Sequence, residues 1–237
     1  MRPGRVGGST FVPARGGAFL GPVPAHCSLL IAHCLPVPHL VPLLIRGINN
    51  LSDARYCAGM GADKLTFVLD PALPGHLDAK AMKELSGWIA GVELIGEFDQ
   101  LSAPEINALA AECALDAVLL RSHRTPDELA EIAPPVYLEL PAAGLATGPA
   151  ALPAGPVGFV VELPAEAAVN APASLAALAS QVPLWLGPGL HPEVARELAA
   201  RLPLAGLSFP SGDEVKPGLR DFDQLEAVFE ALELELE

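Results

Sequence analysis

The chain has 237 residues, 51% of them hydrophobic, with 28 acidic against 14 basic side chains and a formal net charge of −14. That length suits one large domain or two small ones. The charge disfavours the basic face that nucleic-acid binding requires, but a small anionic ligand stays open because backbone N–H groups can hold a phosphate. No apolar run reaches the roughly 18 residues of a membrane span, so none is expected.

Composition breaks near residue 41. Residues 1–41 contain Arg2, Arg5 and Arg15 but no acid, and the first carboxylate of the chain is Asp53. Gly and Pro recur there and no helical or strand period persists. The segment reads as a disordered extension or as an artefact of an upstream start codon. A targeting peptide would also be rich in Arg and poor in acids, although these prolines oppose an amphipathic helix. His26-Cys27 and His33-Cys34 repeat with His39 nearby. The ligand types suit zinc, but the spacing matches no standard finger, so no metal is expected. Cys27, Cys34, Cys57 and Cys113 make no dense disulfide framework, which points to a reduced, cytoplasmic protein.

From residue 42 short apolar runs alternate with amphipathic stretches. A strand is expected over residues 43–47, and a helix opened by Ser52 and Asp53 over 52–60. A strand at 64–69 and a helix at 79–89 follow, then a strand at 92–97 and a helix at 103–113, where Ser102 and Glu105 form a capping box. Next come strand 116–120, helix 126–132 and strand 135–140. Residues 141–156, rich in Ala, Gly and Pro, carry no helical signal. Strand 157–162, helix 171–180, strand 183–187, a helix begun by His191-Pro192 over 191–202, strand 205–209 and helix 222–235 complete the series. Runs such as Ala117-Val118-Leu119-Leu120 are continuously apolar, as a strand buried on both faces must be. Repeated β–α units make either a closed barrel or an open doubly wound sheet, and eight units in so short a chain favour a single (β/α)8 TIM barrel over residues 42–237.

In such barrels the ligand site lies at the C-terminal ends of the strands, and the loops after strands seven and eight commonly share a phosphate. Here those loops are Leu186-Gly187-Pro188-Gly189-Leu190-His191-Pro192 and Ser208-Phe209-Pro210-Ser211-Gly212-Asp213-Glu214. Gly187, Gly189, Ser211 and Gly212 are the candidate phosphate ligands. Gly-Pro-Gly alone is equally an ordinary turn. Pro188 removes a donor, and Asp213 brings like charge close to a phosphate.

Those loops carry a resemblance. Leu186-Gly187-Pro188-Gly189-Leu190-His191-Pro192 resembles the leucine–alanine–glycine–glycine–leucine–asparagine–proline segment of phosphoribosylanthranilate isomerases. Ser211-Gly212-Asp213-Glu214 with Pro217-Gly218-Leu219-Arg220-Asp221 resembles that family's serine–glycine–valine–glutamate and proline–glycine–x–lysine–aspartate signature. Ile45-Arg46-Gly47-Ile48-Asn49-Asn50-Leu51-Ser52-Asp53-Ala54 and Gly61-Ala62-Asp63 through Phe67-Val68 resemble its first two units. The resemblance covers residues 43–237 and is thin in the middle. It implies an Amadori rearrangement of a phosphoribosyl anthranilate in tryptophan synthesis, with no cofactor. It also implies a general acid at the ribose ring oxygen and a general base at the neighbouring carbon.

The family's acid, an aspartate at the end of strand six, is matched by Glu162, one methylene longer. Its base, a cysteine in the first-strand motif, is matched by Arg46, which cannot take up a proton. Gly75 stands in place of a substrate-contacting arginine, and Arg121-Ser122 in place of a histidine–glycine pair. Leu163-Pro164-Ala165-Glu166 replaces a glycine loop that helps hold phosphate.

Arg46 is therefore read either as an anion ligand at the mouth or as an ion-pair partner of Glu97, Glu139 or Glu162. Glu97 or Glu139 could supply the missing base, since carboxylates around one pocket shift each other's pKa. Asp70 and His76 read as loop residues, and Cys57 and Cys113 as packed thiols. The expected function is an isomerase of this type. The alternatives are a paralogue that has lost the reaction and persists as a phosphosugar-binding or interaction protein, or a different reaction on a related metabolite. The expected partner is a small phosphorylated sugar, without nucleic acid or membrane, and the chain is expected to be a monomer or homodimer.

Overall fold

The computed structural model describes residues 39–141, 152–163, 172–187, 190–212, 214–216 and 219–233. The His-Cys pairs of the N-terminal segment, the Ala/Gly/Pro stretch at 142–151, the segment Pro164-Ala165-Glu166, Pro188, Gly189, Asp213, Pro217 and Gly218 lie outside the described residues.

The elements run β1 (Leu43–Arg46), α1 (Leu51–Gly59), β2 (Lys64–Val68), α2 (Ala79–Ser86), β3 (Glu93–Phe98), α3 (Ala103–Cys113), β4 (Ala117–Leu120), α4 (Pro126–Ala130) and β5 (Val136–Leu140). They continue with β6 (Gly158–Glu162), α5 (Pro172–Ala179), β7 (Leu184–Gly187), α6 (Pro192–Arg201), β8 (Gly206–Pro210), β9 (Glu214–Lys216), β10 (Leu219–Arg220) and α7 (Asp223–Leu232). Strands β1 to β8 are parallel and close in sequence order, with β8 returning to β1 through Leu43–Leu207 and Arg46–Pro210 pairs. The expected (β/α)8 barrel is the observed fold. Among the described residues no helix is long and apolar enough to cross a membrane.

Local chemistry explains the boundaries. Helix α1 starts at Leu51 rather than Ser52, because the Asn50 side chain accepts the Asp53 N–H at 2.9 Å. Helix α2 stops at Ser86, where Gly87 takes the cap, short of the expected residue 89. The capping box before α3 is present, with Glu105 accepting from Ser102 N at 2.9 Å and Oγ at 2.6 Å. The antiparallel pair β9–β10, inserted between β8 and α7, was not expected from the sequence pattern.

Two apolar layers follow from the alternation of strand side chains. Outward residues such as Leu43, Ile45, Val118, Leu120 and Val161 pack beneath the helices. Inward residues Leu44, Ile95, Ala117, Leu119, Tyr137, Val160 and Trp185 fill the barrel. Tyr56 of α1 stacks on Phe222 at 4.4 Å and meets Phe229 of α7 edge-on at 6.4 Å, so the first and last helices join around the ring. His39 bonds the Met60 carbonyl at 2.8 Å, and the Leu40 N–H bonds Leu232 O, which ties the start of the described chain to the same seam.

The N-terminal end of the barrel is plugged by Tyr137 and Trp185, 6.1 Å apart in a T-shaped pair, with the Lys64 ammonium 5.5 and 5.6 Å from their rings. Lys64 also pairs with Glu93. Such bulk requires missing side chains opposite it. A methyl group on Gly206 would overlap the Trp185 ring, and one on Gly158 would come within 2.9 Å of Tyr137. Gly206→Ala is therefore expected to lower stability by about 1–3 kcal/mol through overpacking, read as a shifted denaturant midpoint at unchanged slope. An unchanged midpoint would mean that the aromatic plug has room to move.

Candidate active site at the barrel mouth

The strand pleat that places the inner core also builds the mouth. Two residues beyond the inward-facing Leu44, Ile95, Leu119, Tyr137 and Val160 stand Arg46, Glu97, Arg121, Glu139 and Glu162. The same parity turns these charged side chains inward, one layer above the apolar fill.

Glu97 is the hub. Its side chain is 0% exposed and accepts from Arg46 Nε and Nη2 at 3.0 Å each, from Arg121 Nε at 2.9 Å and from the Thr66 hydroxyl. Thr66 in turn accepts from Gly47 N at 3.0 Å. Burial alone would push the Glu97 carboxyl up, but the two guanidinium groups and the hydroxyl outweigh it and hold it below the ordinary value. Arg46, buried, also reaches Glu139 at 2.7 Å. Burial would lower the Arg46 pKa, but its two carboxylates keep it raised, so it stays a cation. Glu139 is raised, by burial first and by the like charge of Glu162, against the pull of Arg46 and Arg121.

The loop after β8 closes the other side. Ser211, buried, donates its N–H to Arg46 O at 2.9 Å and its hydroxyl to Gly47 O at 3.2 Å. Arg220 then clamps it: Nη1 donates to Ser211 Oγ at 2.6 Å and Gly212 O at 2.8 Å, Nη2 to Gly47 O at 3.2 Å, and Nε pairs with Asp53 at 2.9 Å. Gly212 has φ +93°, and a Cβ there would overlap the Asp221 carbonyl, so only glycine fits this turn.

Between these groups lies a cavity of about 220 Å³ lined by Arg46, Gly47, Arg121, Glu162, Pro210, Ser211 and Arg220. A larger, mostly apolar cavity of about 510 Å³ sits beside it between β8, α6 and α7, with Gly212, Phe209 and Val228 in its wall. Only the smaller one brings together cations, a carboxylate and a hydroxyl.

Of the residues singled out in the sequence, Arg46, Glu162 and Ser211 line the mouth cavity, and Gly212 borders the larger one. Gly187 faces inward, but its Cβ position would be 2.5 Å from Ser208 Cβ, so its smallness lets β7 pack on β8. Gly189 lies outside the described residues. Arg46, read either as an anion ligand or as an ion-pair partner, forms ion pairs with Glu97 and Glu139 and not with Glu162 among the described residues. His76 is exposed on its loop. Asp70 is buried and accepts the backbone N–H groups of Ala72, Asp99, Gln100 and Leu101, at 2.7 to 3.4 Å, which fastens the β2 loop to the β3 loop. Cys57 is buried, with its thiol pushed up to about 12 by burial and Asp53, and is inert. Among the described residues no group of three or more His, Cys, Asp or Glu could hold a metal. Arg220 and Asp53 were missed as site residues. The available signal was Arg220 in the position of the family's lysine.

No family model matches the chain. The isomerase of Geobacter metallireducens is 32% identical over 97 residues, covering 39% of this chain and 46% of that protein, so such matches span about half of the relative. The N-(5'-phosphoribosyl)anthranilate isomerase of Deinococcus radiodurans is 29% identical over 207 residues, covering 81% of this chain and 96% of its own length. Over most of its length the chain is similar to phosphoribosylanthranilate isomerases. Against that family's pattern it is divergent, with Arg46 where the family's cysteine would stand. The solved phosphoribosylanthranilate isomerase of Thermus thermophilus superposes with a TM-score of 0.66 at 24% identity, covering 81% of this chain and 98% of that one. A phosphoribosylanthranilate isomerase solved in complex with reduced 1-(o-carboxyphenylamino)-1-deoxyribulose 5-phosphate gives a TM-score of 0.67 at 21% identity, covering 81% of this chain and 97% of that one. These agree in fold.

Removing Glu97 breaks its pairs with Arg46 and Arg121 and leaves the buried Arg46 with Glu139 alone, so Glu97→Ala is expected to cost about 3 kcal/mol. Because the folded pKa of Glu97 is depressed, its contribution is fully present above the ordinary carboxylate range and is lost as pH falls through the folded value. Denaturant midpoints of wild type and Glu97→Gln should therefore lie far apart at neutral pH and converge in acid. An equal gap at both pH values would remove the charge web from the account.

Proposed function

We propose that this chain carries out an isomerase reaction of the phosphoribosylanthranilate type on a small phosphorylated aminosugar in the cytoplasm. The observation that supports it is the convergence of Glu162, from β6, and Ser211, after β8, on one cavity. These are the family's acid and phosphate-loop positions. Ser211, with its hydroxyl and a loop fixed by Arg220, is the phosphate end. Glu162 protonates the ring oxygen, so that the C1–O bond breaks and the nitrogen lone pair forms an iminium. A base then removes the C2 proton to give an enolamine, which tautomerises to the aminoketose. Arg46 holds its proton too tightly for that task, and Glu97 is enclosed. Glu139, its carboxyl raised by burial and by the like charge of Glu162, is the base.

One observation favours a second reading, a barrel that binds the phosphosugar without turnover. Arg46 is buried in the family's base position, and its ion pair occupies one oxygen of Glu139.

A turnover assay of the full chain with freshly generated phosphoribosylanthranilate, followed by loss of fluorescence, separates the two. In the first reading Glu162→Gln and Glu139→Gln each lower the rate by about 10²–10⁴-fold. Absent turnover with retained binding of the reduced ribulose 5-phosphate analogue selects the second reading. Absent binding removes both.

A further inference from the structure

Arg121 differs from the other two arginines of the mouth. Arg220 spends all three nitrogens on Ser211, Gly212, Gly47 and Asp53. Arg46 spends two on carboxylates. Arg121 uses only Nε, on Glu97 at 2.9 Å, and its side chain remains 34% exposed in the cavity wall. Among the described residues no oxygen meets its Nη1 or Nη2. Those two nitrogens form the edge of the guanidinium fork that accepts a carboxylate in two parallel hydrogen bonds.

The fork is also well placed. In a closed ring of eight strands, β4 and β8 stand opposite each other, with β6 midway between them. Arg121 follows β4, Ser211 follows β8 and Glu162 ends β6, and all three line one cavity. A ligand whose phosphate sits at Ser211 and whose other end reaches Arg121 spans a cavity that Glu162 also lines. Glu97 fixes the orientation of the guanidinium through Nε and is itself immobilised by Arg46 and Thr66. The terminal nitrogens are thereby aimed without help from a ligand.

We propose that Arg121 is a specificity-determining residue, which grips a carboxylate at the end of the ligand remote from its phosphate. The mouth thus selects molecules anionic at both ends and uncharged where they face Glu162. This rests on the phosphosugar reading above.

Calorimetric titration of the full-length protein tests it with two probes. One is reduced 1-(o-carboxyphenylamino)-1-deoxyribulose 5-phosphate. The other is the same molecule with hydrogen in place of the carboxyl group. Wild type is expected to prefer the carboxylated probe by about tenfold or more, the strength of a charge-assisted hydrogen-bond pair. Arg121→Gln should weaken the carboxylated probe at least tenfold more than the other. Arg121→Lys, which keeps a cation beside Glu97 but not the fork, should lose part of the preference. It also serves as the readout if the glutamine variant fails to fold. A preference that survives in the variants, or a wild type with none, overturns the assignment of Arg121 while phosphosugar binding stands. Failure of wild type to bind either probe overturns both.

Discussion

A closed barrel leaves a strand side chain two directions, into the ring or out beneath the helices, and parity decides which. The mouth depends on that constraint. Leu44, Ile95, Leu119, Tyr137 and Val160 fill the ring, so Arg46, Glu97, Arg121, Glu139 and Glu162 are turned inward one pleat later. Charged groups from five strands are brought together by packing that serves stability. A one-residue slip in any of these strands would exchange its apolar and charged residues between layers.

Inward-facing charge is costly to bury, and its arrangement reflects that cost. Glu97 has no exposure, and four hydrogen bonds from Arg46, Arg121 and Thr66 satisfy its oxygens. Removing both arginines would leave a buried carboxylate uncompensated, which is why such clusters are hard to dismantle even when their net contribution to stability is small. Toward the opening the balance loosens. Glu139 shares one oxygen with Arg46, and Glu162 is exposed at the rim. Burial and pairing therefore grade from a closed cluster at Glu97 to an open carboxylate at Glu162.

Much of this was legible in the sequence. Continuous apolar runs and capping signals placed the eight strands, because a strand buried on both faces has little choice of composition. The same strand ends named Arg46, Glu97, Glu139 and Glu162 as neighbours. Depth was not legible: parity is identical for Glu97 and Glu139, and only the three-dimensional positions of Arg121 and Thr66 make one a hub and leave the other raised. Asp70 read as an ordinary loop residue because its partners are backbone N–H groups about thirty residues away, which leave no side-chain pattern. Gly187 and Gly212 carried the right residue type for a phosphate loop, but the structure gives each a steric reason to be glycine before any ligand is considered. The β9–β10 hairpin is too short for a period, so the clamp carried by Arg220 stayed hidden.

That clamp bears on how the mouth can work. Arg220 reaches Gly47 across 173 residues of sequence and Ser211 across nine, so the loops after β1 and β8 are held as one body before a ligand arrives. Ser211 reinforces this through both its N–H and its hydroxyl, on either side of the β1 turn. A loop fixed in this way is pre-organised before any ligand arrives, and where a reacting group depends on such positioning a displacement of about one ångström can cost on the order of a hundredfold in rate. Arg46 belongs to the same β1 turn: its carbonyl accepts from Ser211 while its guanidinium grips Glu97 and Glu139. The Ser211 loop and the carboxylates of the mouth are therefore joined through one residue, so any rearrangement of Arg46 that frees Glu139 must act against the turn that holds Ser211.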